Sequence, residues 1–376
     1  TLGSTSTESV GAWTGGDILG LAFDVDAGTL RYYRNGFRMD FTHTSISTGN
    51  PWYPAMNCGT SATEYTYTNF GQKPFSFNPP DGYEPLCLAN TQRPRNARPD
   101  QYMKPILWSG GQSGSGGLTR HISTTTFQPD VVWIKQRNQA YSTGWQLYDS
   151  VRGPGAEKEI DCSSDAAEGA GNIEAYGWLE SFDKTGFTVK GGSTDYDYVD
   201  KSGVNYVAYC WKAGGNSNTF NVDDVGYSSA LFAGLVSGTI TPTGASVGTK
   251  QGFSIIKYTG NGSADQYVSH GLDETPVVIF HKNLMNTADW LVRTTALDGT
   301  IDYSTLNSTA VFNNAGGSYA NAWTSTKFSI GEDSLTNTNT DSYIAYCWHD
   351  VPGVQKFGIY KANNNADGPY VELGFK

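Results

Sequence analysis

The stretch NYVAYCWKAGG at residues 205–215 returns as SYIAYCWHDVPG at residues 342–353. Side chains alternate between the two faces of a β-strand, so the first copy places Tyr206, Ala208 and Cys210 opposite Val207, Tyr209 and Trp211. The second copy places Tyr343, Ala345 and Cys347 opposite Ile344, Tyr346 and Trp348. Both faces are bulky in both copies, which predicts two strands that are buried on both sides.

Three further blocks precede this strand in the same order in each copy. The pairs are PDVVWIK (129–135) with PVVIFHK (276–282), GWQLYDSVRG (144–153) with DWLVRTTALDG (289–299), and KTGFTVKG (184–191) with STKFSIGE (325–332). Four blocks in one order predict two copies of one fold. The start of a third copy is predicted as well, because GFSIIKYTGNGSADQYVSHGL (252–272) reappears as KFGIYKANNNADGPYVELGF (356–375). Those last residues would need a strand partner from a neighbouring module, another chain or further sequence.

The first segment predicts a β-meander. In Ile18–Asp26, the apolar residues alternate with small or acidic ones, which is the pattern of a half-buried strand. The apolar residues of this pattern are Leu19, Leu21, Phe23 and Val25. Asn35-Gly36 is a strong hairpin signal, because both residue types tolerate positive φ.

Several motifs of this segment occur in an order that resembles the C-terminal part of a SPRY domain, over residues 1 to about 88. They are GDILGLAFDVDAGTLRYYRNG (16–36), PWYPA (51–55), NFGQKPF (69–75) and PPDGYEPL (79–86). The resemblance implies a concanavalin-like β-sandwich that binds partners without catalysis, and whose N-terminal strands would precede Thr1. It also favours core packing over ligand contact for Trp52 and Tyr53.

The tandem part resembles modules of tail-fibre-like proteins from marine and other environmental phages. The sequence motifs that carry this likeness are FNVDDVGYSSA (220–230), GTITPTGASVGTKQGFSIIKYTGNG (238–262) and YVAYCWKAGG (206–215). The resemblance implies concanavalin-like sandwiches, a place on the virion and a host-facing role, but no catalytic or binding residue. The predicted organisation is a SPRY-like sandwich at 1–89, a linker at 90–101, a first module at 102–215, a connector at 216–251, a second module at 252–353 and a truncated third module at 354–376.

The composition supports an all-β fold of tandem antiparallel β-sandwich modules. The chain has 45 Gly, 23 Tyr, 17 Phe and 10 Trp, with only 16% charged residues, which suits pleated surfaces and tight turns. Its net charge of −11 argues against nucleic-acid partners and against docking on an anionic membrane. Apolar runs such as Ala230–Val236 are far shorter than the roughly 20 residues that span a bilayer, so no membrane insertion is expected.

The five cysteines, Cys58, Cys87, Cys162, Cys210 and Cys347, form no C-x-x-C pair and predict buried free thiols from a reducing cytoplasm. A nucleophilic role lacks a matching histidine, because His349 in the second copy corresponds to Lys212 in the first. The five histidines are scattered and form no metal-binding motif. Neither a metal nor a cofactor is therefore expected.

Two acidic stretches could carry chemistry. Glu159 and Asp161 in EKEIDCSSD could begin the Glu-x-Asp-x-x-Glu strand of laminarinase-type glycosidases, but serines stand where the second glutamate should be. The loop STDYDYVDKSG (193–203) is the preferred ligand-binding candidate, with Asp195, Tyr196, Asp197 and Tyr198. It lacks the glycine and final glutamate of an EF-hand, and a plain solvated loop is the alternative interpretation.

These patterns favour a non-enzymatic phage virion protein, in a tail fibre or other host-facing appendage. Its loops would attach to a glycan or protein of the host surface, with avidity from a homo-oligomer, a trimer by analogy with phage fibres. A purely structural connector or decoration protein that binds other virion subunits is the alternative. A polysaccharide-cleaving enzyme is the third hypothesis.

Overall fold

The computed structural model of the chain describes residues 14–46, 66–80, 82–86, 98–114, 116–123, 126–138, 144–171, 173–215, 218–316 and 321–373. Antiparallel strands dominate these residues, and their α-helical content is the four-residue helix α1, Ile173–Tyr176. The prediction of an all-β fold is confirmed. The chain divides into two compact units, Thr1–Arg93 and Pro94–Lys376.

The first unit contains the predicted meander. Its strands are β1 (Leu19–Asp24), β2 (Thr29–Arg34) and β3 (Phe37–His43), paired antiparallel in the order β1-β2-β3. Asn35 and Gly36 have φ of 50° and 82°, as the hairpin signal predicts.

The burial of β1 differs from the predicted alternation. Leu19 and Leu21 are 41% and 50% exposed, whereas Ala22, on the opposite face, is buried. Alternation sets which side chains share a face, but burial needs a second layer, and no described residues of this unit form a second sheet. Trp52 and Tyr53 lie outside the described residues.

The first module forms two facing sheets. Its strands are β4 (Met103–Ser109), β5 (Thr119–Ser123), β6 (Val131–Gln136), β7 (Gln146–Asp149), β8 (Ile160–Asp161), β9 (Trp178–Asp183), β10 (Gly186–Lys190) and β11 (Asn205–Trp211). The larger sheet has the order β4-β11-β6-β7-β8 and the smaller one the order β5-β10-β9. Trp108, Phe187, Val189 and Tyr206 belong to the core between them.

The second module repeats this arrangement with additional strands. They are β12 (Phe220–Val222), β13 (Val225–Tyr227), β14 (Gly244–Gly248), β15 (Phe253–Thr259), β16 (Gln266–Ser269), β17 (Val278–Asn283), β18 (Leu291–Thr294), β19 (Asp302–Thr305), β20 (Asn313–Asn314), β21 (Lys327–Ile330) and β22 (Ser342–Trp348). The larger sheet has the order β13-β12-β14-β15-β22-β17-β18-β19-β20, and β16 pairs with β21. The run β15-β22-β17-β18-β19 matches β4-β11-β6-β7-β8 strand by strand.

The register is also the same in the two modules. Trp211 pairs with Val131 in the first, and Trp348 pairs with Val278 in the second, at the corresponding places of the repeated blocks. The sequence repeat is therefore a structural repeat.

The segment 216–251, interpreted from sequence as a connector, belongs to the second sheet. It supplies β12, β13 and β14, and β14 lies between β12 and β15. All five residues of β14 are buried. At the other end, residues 356–373 form no strand in this structure, and Ile359 and Tyr360 are 66% and 69% exposed.

The repeated strand β22 is buried on both faces, as predicted, whereas β11 is buried on the Cys210 face and only half-buried at Tyr209 and Trp211 on the other. In both strands the two faces serve different cores. Cys210 lies in the core of the first module, and Cys347 in the core of the second. The opposite faces meet in a third core at the junction of the modules. It includes Val131, Leu147, Ile160 and Ala213 from the first module, and Phe253, Ile255, Tyr346 and Trp348 from the second.

A buried carboxylate ties this junction together a second time. Asp130 is fully buried and accepts hydrogen bonds from the backbone N–H groups of Ala213 (2.7 Å) and Gly215 (3.0 Å). Its other oxygen accepts from Ser246 Oγ of β14 (2.9 Å) and from Ser150 Oγ (2.6 Å). The two modules are thus joined by a shared polar centre as well as by apolar packing.

Candidate functional site

An open groove of about 650 Å³ lies on the first module, beside its smaller sheet. Three glutamates and one tryptophan line it, namely Glu157, Glu174, Glu180 and Trp178. Most of the remaining lining residues are small, among them Gly116, Gly117, Gly155, Gly191, Gly192 and Ser193. This volume is in the range of small-molecule sites.

The walls of the groove are held by backbone hydrogen bonds. The N–H of Gly155, before a short 3-10 turn at Ala156–Lys158, donates to the carbonyl of Leu179 on β9 (3.0 Å). On the far side, the N–H of Ser193 donates to the carbonyl of Glu174 in α1 (2.8 Å). Main-chain contacts of this kind fix the width of the groove without using its side chains.

Trp178, Glu180 and Lys190 form a connected group at the base of this groove. The indole N–H of Trp178 donates to Oε2 of Glu180 (2.7 Å), and the Lys190 ammonium lies 3.4 Å from Oε1 of the same carboxylate. That ammonium also lies 5.3 Å from the centroid of the Trp178 ring. Trp178 and Glu180 are two residues apart on β9 and so lie on one face of the strand. A β-bulge lies beside them: the pairing of β9 with β10 shifts between Thr188 and Val189, which leaves Glu180 without a register partner.

Two glycines of the floor are required by close packing. A Cβ on Gly191 would lie 1.7 Å from the ring of Tyr196, and one on Gly192 would lie 2.2 Å from the backbone of Ala175. Any larger residue would push the loop away from α1 or expel the Tyr196 ring. The groove is therefore shallow because its floor is main chain.

The chemistry of the groove suits a hydroxylated ligand. An aromatic face can pack on the C–H face of a sugar ring, and carboxylates accept strong hydrogen bonds from hydroxyl groups. Three glutamates line the groove and Lys190 adjoins it, so its field disfavours acidic ligands.

The predicted ligand loop lies next to this groove, but its residues differ in availability. Tyr196 is only 1% exposed, so it fills the core and is not available to a ligand in this structure. Asp195 and Asp197 both contact the Lys201 ammonium, at 2.8 and 2.6 Å. These hydrogen bonds raise the pKa of Lys201. Burial alone would raise the pKa of Asp195, but its hydrogen bonds outweigh that effect and lower it. Tyr198 is half-buried with its ring 5.3 Å from that of Tyr176.

Asp161 of the glycosidase-like pair bonds the second module, whereas Glu159 is buried within the first module. Glu159 is 2% exposed, and burial raises its pKa to about 7, with a further rise from Asp161 and an opposing effect from Arg152. Asp161 Oδ1 accepts from the N–H of Ser163 (2.8 Å), and the Asp161 carbonyl accepts from the indole of Trp290 (3.1 Å). Asp161 therefore contributes to the junction, whereas the charged groups that act on Glu159 belong to the first module.

Sequence reasoning missed the polar cluster that holds the modules together. Arg152 is completely buried and bonds Asp149 through Nε and Glu168 through Nη1, the latter at 3.0 Å. Lys282, also buried, donates to the carbonyls of Asp165 (2.9 Å) and Ala288 (2.6 Å), and burial lowers its pKa to about 8. The sequence feature that could have pointed to this cluster was the insertion at 154–171, which the second copy lacks.

The groove residues Trp178 and Glu180 were also missed. Neither belongs to a repeated block, and no motif marks the pair. The cysteines do follow their prediction: Cys162, Cys210 and Cys347 are free and buried, and burial raises the pKa of Cys347 to about 12. Cys58 and Cys87 lie outside the described residues.

Two kinds of site are not found in the described part of the chain. Its His, Cys, Asp and Glu side chains form no group of three or more that could hold a metal ion. None of its helices is long and apolar enough to cross a membrane.

Comparisons with known proteins relate most of the chain to a family. A stretch of 84 residues, 22% of the chain, is 34% identical to the E3 ubiquitin-protein ligase RKP of Arabidopsis thaliana. The match spans only 6% of the length of that ligase. No solved structure matches the chain. The model of a domain of unknown function, DUF7483, matches residues 98–376, and the chain therefore belongs to that family.

Proposed function

We propose that this chain is part of a phage virion, in a tail fibre or another host-facing appendage, and that its first module attaches to a glycan of the host surface. The likeness of the repeated modules to tail-fibre-like proteins supports the location. The groove of Trp178, Glu180 and Lys190 supports the glycan, because it joins an aromatic face to hydrogen-bond acceptors in an open site. The role is adhesion without catalysis.

The observation that carries this proposal is the hydrogen bond that joins Trp178 to Glu180 on one face of β9. It fixes an aromatic ring and a carboxylate on rigid strands, so a sugar would find both groups already in place. A single shallow site of this kind binds weakly. Several copies in a homo-oligomer would supply avidity of roughly a hundredfold or more.

The test is calorimetric titration of the chain with neutral oligosaccharides and with host envelope polysaccharide. Glu180→Gln keeps the shape of the side chain but removes its charge, and we expect it to weaken binding about tenfold, the effect of one charge-assisted hydrogen bond. Glu274→Gln, at an exposed glutamate of the second module, is the matched control and should bind as the native chain does. Equal affinities for all three proteins would refute the groove as the binding site.

The connector role is a second candidate, and the exposed C-terminal segment favours it. Tyr370 is 87% exposed, and Ile359 and Tyr360 are each exposed by two thirds or more. Apolar side chains in a segment without strand pairing are suited to completing a neighbouring subunit. A chain ending at Gly358 keeps Gln355 and Phe357, which contact the second module, so it should fold normally but fail to co-assemble with neighbouring virion subunits. Unchanged assembly would exclude this role.

A polysaccharide-cleaving activity would require Glu159 to reach substrate. In this structure it is 2% exposed, which supports the non-catalytic proposal. Loss of depolymerase activity in Glu159→Gln, with its fold intact, would overturn that proposal.

A further inference from the structure

The three glutamates that line the groove differ in what already neutralises them. Oε1 of Glu180 lies 3.4 Å from the Lys190 ammonium, and Oε2 accepts the indole N–H of Trp178. Glu157 and Glu174 are exposed, and their carboxylates have no hydrogen-bond or ion-pair partner among the described residues. The groove therefore has two carboxylates whose charge the described part of the chain does not compensate.

The lysines nearest to these two glutamates in sequence or space are engaged with other carboxylates. Lys158 follows Glu157 on the 3-10 turn, and its ammonium lies 4.0 Å from Glu168. The Lys201 ammonium contacts the two aspartates of the neighbouring loop, at 2.8 and 2.6 Å. The field of the groove is therefore negative, and a cation from outside the chain would be attracted to it.

The carboxylate of Glu157 is held close to the strand that carries Trp178. A Cβ on Gly155 would lie 2.9 Å from Oε2 of Glu157, so this side chain folds back over Gly155. The N–H of Gly155 donates in turn to the carbonyl of Leu179, the residue after Trp178 on β9. Glu157 thus borders the aromatic part of the groove.

Glu174 reaches the same groove from α1, which contacts the 3-10 turn. The N–H of Ser193 donates to the carbonyl of Glu174 (2.8 Å), and the N–H of Thr194 donates to that of Ala175 (2.9 Å). The loop after β10 therefore fixes the backbone of α1 beside the groove. A ligand would find carboxylates on three neighbouring segments, namely the 3-10 turn, α1 and β9.

The protein already shows how the groove holds an ammonium group. The Lys190 ammonium lies 5.3 Å from the centroid of the Trp178 ring and 3.4 Å from the Glu180 carboxylate. A ring face and a carboxylate each attract a cation, and the carboxylate also accepts its N–H groups. Glu157 and Glu174 offer the same carboxylate contact to an ammonium group of a ligand.

We propose that Glu157 and Glu174 make the groove selective for glycans whose sugars carry free amino groups. The inference rests on the proposed glycan-binding function and adds which sugars are bound. A protonated amine supplies the positive charge that the two carboxylates lack, whereas an N-acetylated amine is neutral and an acidic sugar is repelled. Trp178 supplies an aromatic face for the sugar ring, which a simple polyamine would not use.

The experiment is calorimetric titration of the chain with two oligomers of equal length, one of glucosamine and one of N-acetylglucosamine. At about pH 6, ordinary carboxylates are ionised and ordinary amines are protonated. We expect the glucosamine oligomer to bind about tenfold more tightly, the effect of two partly exposed charge contacts, and to bind more weakly as salt is added. The double variant Glu157→Gln/Glu174→Gln should bind both oligomers with about equal affinity.

The matched control is Glu274→Gln/Glu332→Gln, which removes the same charge from exposed positions of the second module. It should keep the preference for the glucosamine oligomer. Equal loss of the preference in the two double variants would overturn the proposal, because a polycation would then respond only to the net charge of −11. A lysine oligomer of equal charge that bound as tightly would also overturn it, since the sugar ring would contribute nothing.

The outcomes separate this inference from the proposed function. Equal affinities of the native chain for the two sugar oligomers, with weaker binding in Glu180→Gln, would overturn the selectivity and leave the glycan site in place. A preference that persisted in Glu157→Gln/Glu174→Gln would do the same. Binding of neither oligomer would overturn both proposals.

Discussion

The hydroxyl of Tyr346 donates a 2.7 Å hydrogen bond to Oδ2 of Asp149, across 197 residues of sequence. Asp149 ends β7 of the first module, whereas Tyr346 lies in the middle of β22 of the second. The same carboxylate oxygen accepts from Nε of the buried Arg152. The second module thus supplies one of the hydrogen bonds that stabilise the buried Asp149–Arg152 pair of the first module.

Removing this hydroxyl should weaken the junction. Tyr346→Phe leaves a buried carboxylate with one donor fewer, and we expect the free energy of unfolding to fall by about 1.5–3 kcal/mol. Urea unfolding followed by circular dichroism measures this change. Tyr227→Phe, at a half-buried tyrosine of the second module, is the control and should change it by less than about 0.5 kcal/mol. A smaller effect at Tyr346 than at Tyr227 would contradict the structural role of this bond.

Stability should depend on pH through Glu159. Its folded pKa of about 7 lies above the ordinary value of 4.5, so the folded chain holds the proton more tightly than the unfolded one. The stabilising contribution is therefore full below pH 4.5 and is lost as the pH rises to about 7, by an amount on the order of 3 kcal/mol.

Glu159→Gln tests this assignment, because the amide cannot titrate. The difference in unfolding free energy between pH 5 and pH 8 should be smaller in the variant than in the native chain. An identical pH dependence in the two proteins would assign the effect to other groups, such as Asp130, whose pKa burial also raises.

The described cysteines should resist thiol reagents. Cys162, Cys210 and Cys347 are buried, and burial raises the pKa of all three thiols, so little thiolate forms and none of it is accessible. In a Cys58→Ser/Cys87→Ser background, we expect no rapid reaction in native buffer and three reactive thiols in denaturant. Rapid reaction of any thiol in native buffer would contradict the core position of these residues.

The groove floor should not tolerate a methyl group. Gly191→Ala would place a carbon 1.7 Å from the Tyr196 ring, and we expect a loss of about 2 kcal/mol or more in unfolding free energy. Gly316→Ala is the control, because nothing lies within 4 Å of its added carbon. The two variants are compared by urea unfolding, and equal stabilities would show that the ring can move aside.

The features that the sequence predicted are those set by local pattern. Alternation assigned Cys210 and Trp211 to opposite faces, and the repeated blocks predicted two copies of one fold, because both can be read from the sequence alone. Strand β14 was missed, because GASVG is short and rich in small residues, although all of it is buried. The exposure of Leu19 and Leu21 was missed because a pattern does not reveal whether a second layer covers it.

The candidate site was less predictable for the same reason. Its lining comes from segments between residues 116 and 193 that only the tertiary fold brings together. The predicted loop at Asp195–Tyr198 lay beside the groove, but the interpretation placed Tyr196 in contact with ligand, whereas its ring fills the core. Alternation places Glu180 and Trp178 on one face of a strand, but it does not show that this face borders a groove.

The position of β14 shows that the duplicated unit and the folding unit have different boundaries. The duplicated blocks of the second copy begin after residue 251, but the second sheet already includes residues 220–248, and Ser246 within them bonds Asp130 of the preceding module. A recombination event that cut at the start of the repeat would leave β15 with a bare edge and Asp130 without one of its donors. Exchange of whole modules between such proteins is therefore expected to preserve the stretch ahead of each repeat, even where its sequence carries no copy of the motif.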